Sequence, residues 1–160
     1  KGCYKKRGFM VTFYCFNDVT KVLELDKVIS LIYNQMKVIG SDKSTLQIRE
    51  TLLETLNKNN QSNLFVGYNS GNEPICFAFG NTCKALESKS YFWLNEIYVS
   101  NEYRQQKLGS KLLVFMENWL AKRDVELIAS MTSIENIASY HLFTNNNYSV
   151  QSCFWIEKNL

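Results

Sequence analysis

Apolar positions recur along this chain with two different periods, and each change of period marks a new element. Phe9–Phe16 is β-rich and predicts a first strand. Asp18 or Thr20 then offers a cap for a helix whose apolar residues Val22, Leu25, Ile29 and Ile32 recur at helical spacing. A second helix is expected from Ser44, with Leu46, Leu52, Leu53 and Leu56 inward, ending in the Asn57–Asn60 cluster. Leu64–Tyr68 and Ile75–Phe79 flank Asn69-Ser70-Gly71-Asn72 and read as a hairpin with a loop longer than two residues. Tyr91–Val99 is the next strand. In Leu108–Lys122, Leu112, Phe115, Met116, Trp119 and Leu120 make a buried stripe, with Lys111, Glu117, Asn118 and Lys122 outward. Leu127–Met131 reads as a short strand, Asn136–Thr144 as a short helix and Asn145–Asn147 as a turn. Tyr148–Val150 and Phe154–Glu157 are expected to close the domain as β segments.

The resulting order, βααβββαβαβ, is mixed α/β and requires a sheet that passes from antiparallel hairpins to a parallel pair. With a single proline, Pro74, no Gly/Ser-rich linker and no internal repeat, residues 9–160 are expected to form one domain, preceded by a flexible extension over 1–8.

Composition narrows the class. At 160 residues, 46% hydrophobic and 14% aromatic, the chain can bury a substantial core. A net charge of +3, with Lys5-Lys6-Arg7 as the main basic cluster, argues against a nucleic-acid partner. The cysteines Cys3, Cys15, Cys76, Cys83 and Cys153 are odd in number and form no C-x-x-C pair, so neither a zinc site nor a thioredoxin motif is supported, and no metal is expected. Reduced thiols fit an intracellular protein. No apolar run approaches the ~20 residues of a membrane span, and Phe9–Phe16 is too short for a signal peptide; a cytoplasmic location without membrane attachment is the expectation.

The chemically informative stretch begins where Leu94-Asn95-Glu96-Ile97-Tyr98-Val99 runs through a polar loop into Arg104-Gln105-Gln106-Lys107-Leu108-Gly109-Ser110. A helix start leaves backbone N–H groups unpaired and carries about half a positive charge, which suits a phosphate. Gly109 costs roughly 1 kcal/mol against Ala inside a helix. It therefore implies either a ligand close to the backbone or a close contact with a neighbouring element. A Walker loop is excluded by residue order, and a dinucleotide fingerprint by the single glycine.

This segment resembles motif A of the GNAT superfamily of N-acetyltransferases, [QR]-x-x-G-x-[GA], with Lys107 where the family usually has Gly. A second patch resembles its motif B: Asn136, Phe143, Asn147 and Tyr148 fall at the family's spacings, and Asn147 replaces the usual Gly at a helix C′ position. The resemblance spans nearly the whole chain from Phe9. It implies a mixed, mostly antiparallel sheet, flanked by helices, with a central parallel pair that splays apart to admit acetyl-CoA; Tyr91–Val99 and Leu127–Met131 are the candidates for that pair.

By the same resemblance, the backbone of Ile97, Tyr98 and Val99 would pair with the pantetheine arm. The N–H groups of Arg104, Gln105, Gln106, Lys107, Leu108, Gly109 and Ser110 would hold the diphosphate, with Asn136 and Phe143 beside the cofactor. Glu96 is the candidate base that deprotonates a primary amine, since an ammonium cannot attack a thioester; the other reading is that it binds a cationic substrate. Many relatives carry a Tyr acid where this chain has Phe143, and Phe cannot donate a proton. Tyr140, one turn earlier, is a candidate substitute, set against simple core packing. His141, the sole histidine, reads as a structural or surface residue, and Cys76 and Cys83 as packing residues. Two functions follow: an N-acetyltransferase acting on a small-molecule or peptide amine, as monomer or homodimer, or a CoA-binding sensor that has lost turnover. The acceptor pocket is expected from the first two helices, the loop Met36–Lys43 and the C-terminal strands.

Overall fold

The computed structural model describes residues 10–57, 61–84, 90–152 and 157–158. Its centre is a five-stranded sheet of β1 (Val11–Phe16), β2 (Ser62–Asn69), β3 (Pro74–Lys84), β4 (Ser90–Val99) and β5 (Val125–Ser130), in spatial order of sequence. β1 to β4 pair antiparallel, and β4 with β5 parallel. The parallel step needs a crossover, which α3 (Leu108–Ala121) supplies.

Helices cover both faces. α1 (Leu25–Val38) and α2 (Thr45–Thr55) share one core with Leu64, Val66, Tyr68, Phe77 and Tyr98. α3 and α4 (Ile137–Thr144) share the other with Phe65, Ile75, Ala78, Phe92 and Leu94. Successive residues of β2 therefore point to opposite cores, which is why Ser62–Tyr68 is buried throughout and reads as a run without alternation. Cys76 and Cys15 are packing thiols, both pushed by burial to a pKa of about 12. Cys83 also lies on β3, partly buried, whereas Cys3 and Cys153 fall outside the described residues.

Several sequence expectations are corrected. Asp18 caps a short 3₁₀ turn, Val19–Lys21, by accepting from Thr20 N at 3.0 Å, and α1 starts later, at Leu25, behind Glu24 in the left-handed region. Val22 is buried in that connector. Ser44 does cap α2, in a reciprocal capping box with Gln47. The inner face of α2 is Ile48 and Leu52, with Leu56 at its C-cap; Leu46 and Leu53 are exposed. On α3, Leu108 and Leu113 join the fully buried stripe, while Phe115 and Trp119 are half-buried. Residues 148–150 form no strand, because the Tyr148 N–H is drawn back to Phe143 O at 3.1 Å in the C-terminal cap of α4. The expected extension over 1–8 and most of the expected strand Phe154–Glu157 lie outside the described residues. Among the described residues no helix is long and apolar enough to cross a membrane.

Candidate active site

The sheet opens at one end. β5 pairs with β4 only from Ser90 to Leu94, where the Ser130 hydroxyl donates to Leu94 O at 2.8 Å. β4 continues to Val99, held on its other edge by β3 through Ala78↔Ile97, Phe77↔Tyr98 and Cys76↔Val99. Among the described residues, 95–99 thus present a strand edge without a β partner, and in an antiparallel ladder every second residue turns its N–H and C=O to such an edge.

A β-bulge decides where Glu96 points. Phe79 faces Glu96 while Gly80 faces Leu94, so Asn95 is an extra residue on β4. Before it, Phe92 and Leu94 pack under α3; beyond it, Ile97 and Val99 take that face, and Tyr98 joins the α1/α2 core. Without the bulge Glu96 would continue the series of Phe92 and Leu94 into the α3 core. Gly80 permits the kink: a Cβ there would lie 2.3 Å from Trp93 O.

Turned to the α1/α2 side, Glu96 lines a cavity of about 270 Å³. Its apolar wall is Ile32 and Met36 of α1, Ile48 and Leu52 of α2, and Phe77 and Phe79 of β3. Lys43, Thr51 and Asn95 complete the lining. Gln35, buried on α1, donates its Nε2–H to Glu96 Oε2, while Gln35 Oε1 is a buried acceptor without a partner among the described residues. Burial raises the Glu96 pKa above its ordinary carboxylate value; the Gln35 hydrogen bond and the charge of Lys43 oppose the rise.

Beyond β4 the chain makes a 3₁₀ turn, Asn101–Tyr103, anchored by Ser100 N donating to Ile75 O at 2.9 Å. Arg104 Nε donates to Val99 O at 3.1 Å, and its guanidinium lies 5.6 Å from the Tyr98 ring centroid, so this cation is fixed beside the open edge. Gln105 (φ 60°) and Lys107 (φ 59°) are both left-handed, with Lys107 as the N-cap of α3. The Lys107 backbone explains why glycine is favoured at that position of the motif. Lys111 N is the first to bond back, to Lys107 O at 3.0 Å, which leaves the N–H groups of Leu108, Gly109 and Ser110 at the helix start without a helical acceptor. The side chains of Gln105, Gln106 and Lys107 are exposed, whereas that of Leu108 belongs to the core, so only its backbone faces the loop.

α4 braces this start. Gly109 makes room for α4, since a Cβ there would meet Leu142 Cδ1 at 2.9 Å. Of the two reasons for a glycine, close packing of neighbouring elements is the one the geometry displays. Asn146 Nδ2 donates to Ser110 Oγ at 3.0 Å. Asn136 accepts from Ser139 N at 3.1 Å as the N-cap of α4. At the other end, Tyr148 N bonds Phe143 O and Asn147 N bonds Thr144 O, with Asn147 left-handed at φ 65°. These are the paired bonds of a Schellman cap, and its apolar contact is Phe143 on Tyr148, centroids 5.2 Å apart. Phe143 is buried. Tyr140 is 45% exposed against His141, which overturns the expectation of core packing.

The structure therefore brings Glu96, the 95–99 edge and the 104–110 loop into one continuous stretch at the mouth of the splay. Asn136 and Phe143 serve as cap and core of α4, whose Leu142 and Asn146 touch the α3 start. Sequence reasoning missed Gln35, a polar residue on an otherwise amphipathic helix, and the bulge at Asn95, for which Gly80 was the available cue.

A model of the Acetyltransferase (GNAT) family matches residues 29–148. No curated protein sequence matches the chain. Among solved structures, it resembles an aminoglycoside acetyltransferase from an uncultured soil metagenomic sample in complex with trehalose, with TM-score 0.80, 16% identity, and 94% and 96% of the two chains covered. It also resembles aminoglycoside N-acetyltransferase AAC(6')-Iy in complex with CoA, with TM-score 0.77, 17% identity, and 96% and 97% covered. A third is aminoglycoside 6'-N-acetyltransferase AAC(6')-Ih from Acinetobacter baumannii, with TM-score 0.73, 13% identity, and 94% and 99% covered. At these identities the likeness is one of fold.

Proposed function

Because the chain belongs to the acetyltransferase (GNAT) family, we propose that it is an acetyl-CoA-dependent N-acetyltransferase that acts on a primary amine by direct attack on the thioester. The observation that carries this reading is the placement of Glu96 in a cavity that adjoins the unpaired edge of β4. The edge suits an extended pantetheine arm, through backbone groups of Ile97, Tyr98 and Val99. The N–H groups of the 104–110 segment suit a diphosphate, with Arg104, Lys107 and Lys111 supplying positive charge.

In the reaction the amine lone pair forms the N–C bond and the C–S bond breaks, its electron pair leaving on sulfur. Glu96 takes the proton from the amine, directly or through water. Burial raises its affinity for that proton, which moves the base toward the operating range. A backbone N–H of the β4 edge polarises the carbonyl. With Phe143 unable to donate, the thiolate, whose conjugate acid has a pKa of roughly 8.5 by analogy with Cys, leaves and takes a proton from solvent or from Tyr140, which is 45% exposed on α4.

Thiol release measured over a panel of amines tests the reading. Turnover that falls about 10²-fold or more in Glu96→Gln is expected. CoA binding with no turnover of any amine would instead favour a CoA-binding module, the alternative that buried Phe143 keeps in view.

A further inference from the structure

From the cavity beside Glu96 we infer that the acceptor is a small monoamine carried on an aromatic or branched apolar body, and not a polycationic sugar. The inference rests on the acetyltransferase reading above and names the substrate class of the same site. Six apolar residues, Ile32, Met36, Ile48, Leu52, Phe77 and Phe79, line the space. Phe77 and Phe79 offer ring surfaces for stacking, and Met36 an adaptable one. Thr51 adds little polarity, because its hydroxyl donates to Gln47 O at 2.9 Å.

Charge points the same way. Among the described lining residues, Glu96 is the sole acid and Lys43 the sole base. An amine placed for reaction uses the one carboxylate. A further ammonium drawn into the cavity would meet the apolar wall unpaired, or face Lys43, and a desolvated charge without a partner is strongly disfavoured. Size agrees: a cavity of about 150 Å³ holds a benzene ring. The 270 Å³ here has room for a ring with a short alkyl arm.

The test compares 2-phenylethylamine with sisomicin, the compound bound in one structural neighbour, on the full chain with acetyl-CoA. Thiol release gives kcat/KM, and calorimetry on the CoA-saturated protein gives affinity. A kcat/KM at least tenfold higher for 2-phenylethylamine is expected. Thr51→Glu, which adds a second carboxylate to the wall, is expected to narrow that ratio. Sisomicin turned over as well or better would overturn the substrate class while leaving acetyl transfer intact. If neither amine reacts, the amine panel above decides acetyl transfer, and affinity decides the inference: 2-phenylethylamine bound at least tenfold tighter upholds it, and equal binding, tighter sisomicin or no binding of either overturns it.

Discussion

Gln35 on α1 donates a hydrogen bond to the Glu96 carboxylate on β4, 61 residues away in sequence. The bond joins the helix layer to the strand at the cavity and tunes the one acid among its described lining residues. Donation to a carboxylate favours its charged form, so this contact opposes the upward pull of burial on Glu96. Gln35→Met removes that opposition, and the Glu96 pKa is expected to rise further. The acid limb of kcat/KM should then move to higher pH, with a larger loss at pH 6 than at pH 9. Met roughly conserves volume and eliminates the unpartnered Oε1, but leaves the Glu96 carboxylate without its donor, so a stability loss of about 1–3 kcal/mol is expected where Glu96 is ionised. A pH profile that superimposes on that of the unaltered protein would show that Gln35 only packs.

Glu96 itself should set activity against stability. Its folded pKa is raised by burial, so the folded state holds the proton more tightly than the unfolded chain. Where the unfolded chain binds fewer protons, stability falls as pH rises. The loss begins near the ordinary carboxylate value and is complete above the raised folded value. Glu96→Gln removes the charge and can still accept from Gln35. The variant should therefore melt at a higher temperature than the unaltered protein at pH 8, with the difference gone at about pH 3.5, below the unfolded Glu value of roughly 4.3. Thermal unfolding at the two pH values measures it. A lower melting temperature at pH 8 would mean that the charge stabilises the fold.

Lys107 holds a left-handed backbone at φ 59°, which costs a side chain roughly 1–2 kcal/mol. Lys107→Gly relieves that strain and loses part of the gain to the greater freedom of glycine in the unfolded chain. A net stabilisation of about 0.5–1 kcal/mol in urea unfolding is expected. Under the proposed diphosphate role, one cation beside an intact backbone loop is also lost, so CoA affinity should fall by less than about tenfold, and less still at high salt. A large loss at all salt concentrations would give the Lys107 side chain a contact that backbone geometry does not require.

The family fold was legible because its elements carry strong periods and because the chain's motif spacings match backbone geometry. Asn147 stands at the left-handed cap of α4, and Lys107 at the left-handed entry to α3. Less legible was anything that depends on which face a buried strand presents. Along Tyr91–Val99 apolar residues occupy both faces of the strand, so no alternation reveals the extra residue at Asn95 or the direction of Glu96. On α2 the inward assignment holds for Leu52, but Leu46 and Leu53 attracted it too, and the helix turns Ile48 to the core in their place. Gln35 had no signal at all, since a polar residue on a helix reads as outward until its partner strand is known.

Gly109 offers the sharpest test of the α3 start, because packing and ligand approach predict different rescues. A Cβ at this position meets Leu142 Cδ1 at 2.9 Å, the end of a side chain that can move. Gly109→Ala should gain up to about 1 kcal/mol in helix propensity, and lose about 1–2 kcal/mol to crowding against α4. Leu142→Ala alone should cost about 2 kcal/mol for a partly buried leucine. With Leu142 truncated, the alanine at 109 no longer crowds anything and only its helical gain remains. The double-mutant cycle should thus show a favourable coupling of about 1–2 kcal/mol in urea unfolding. If the glycine instead serves ligand approach, the stability effects will add and CoA affinity will stay reduced in both Gly109→Ala backgrounds, whether or not Leu142 is present.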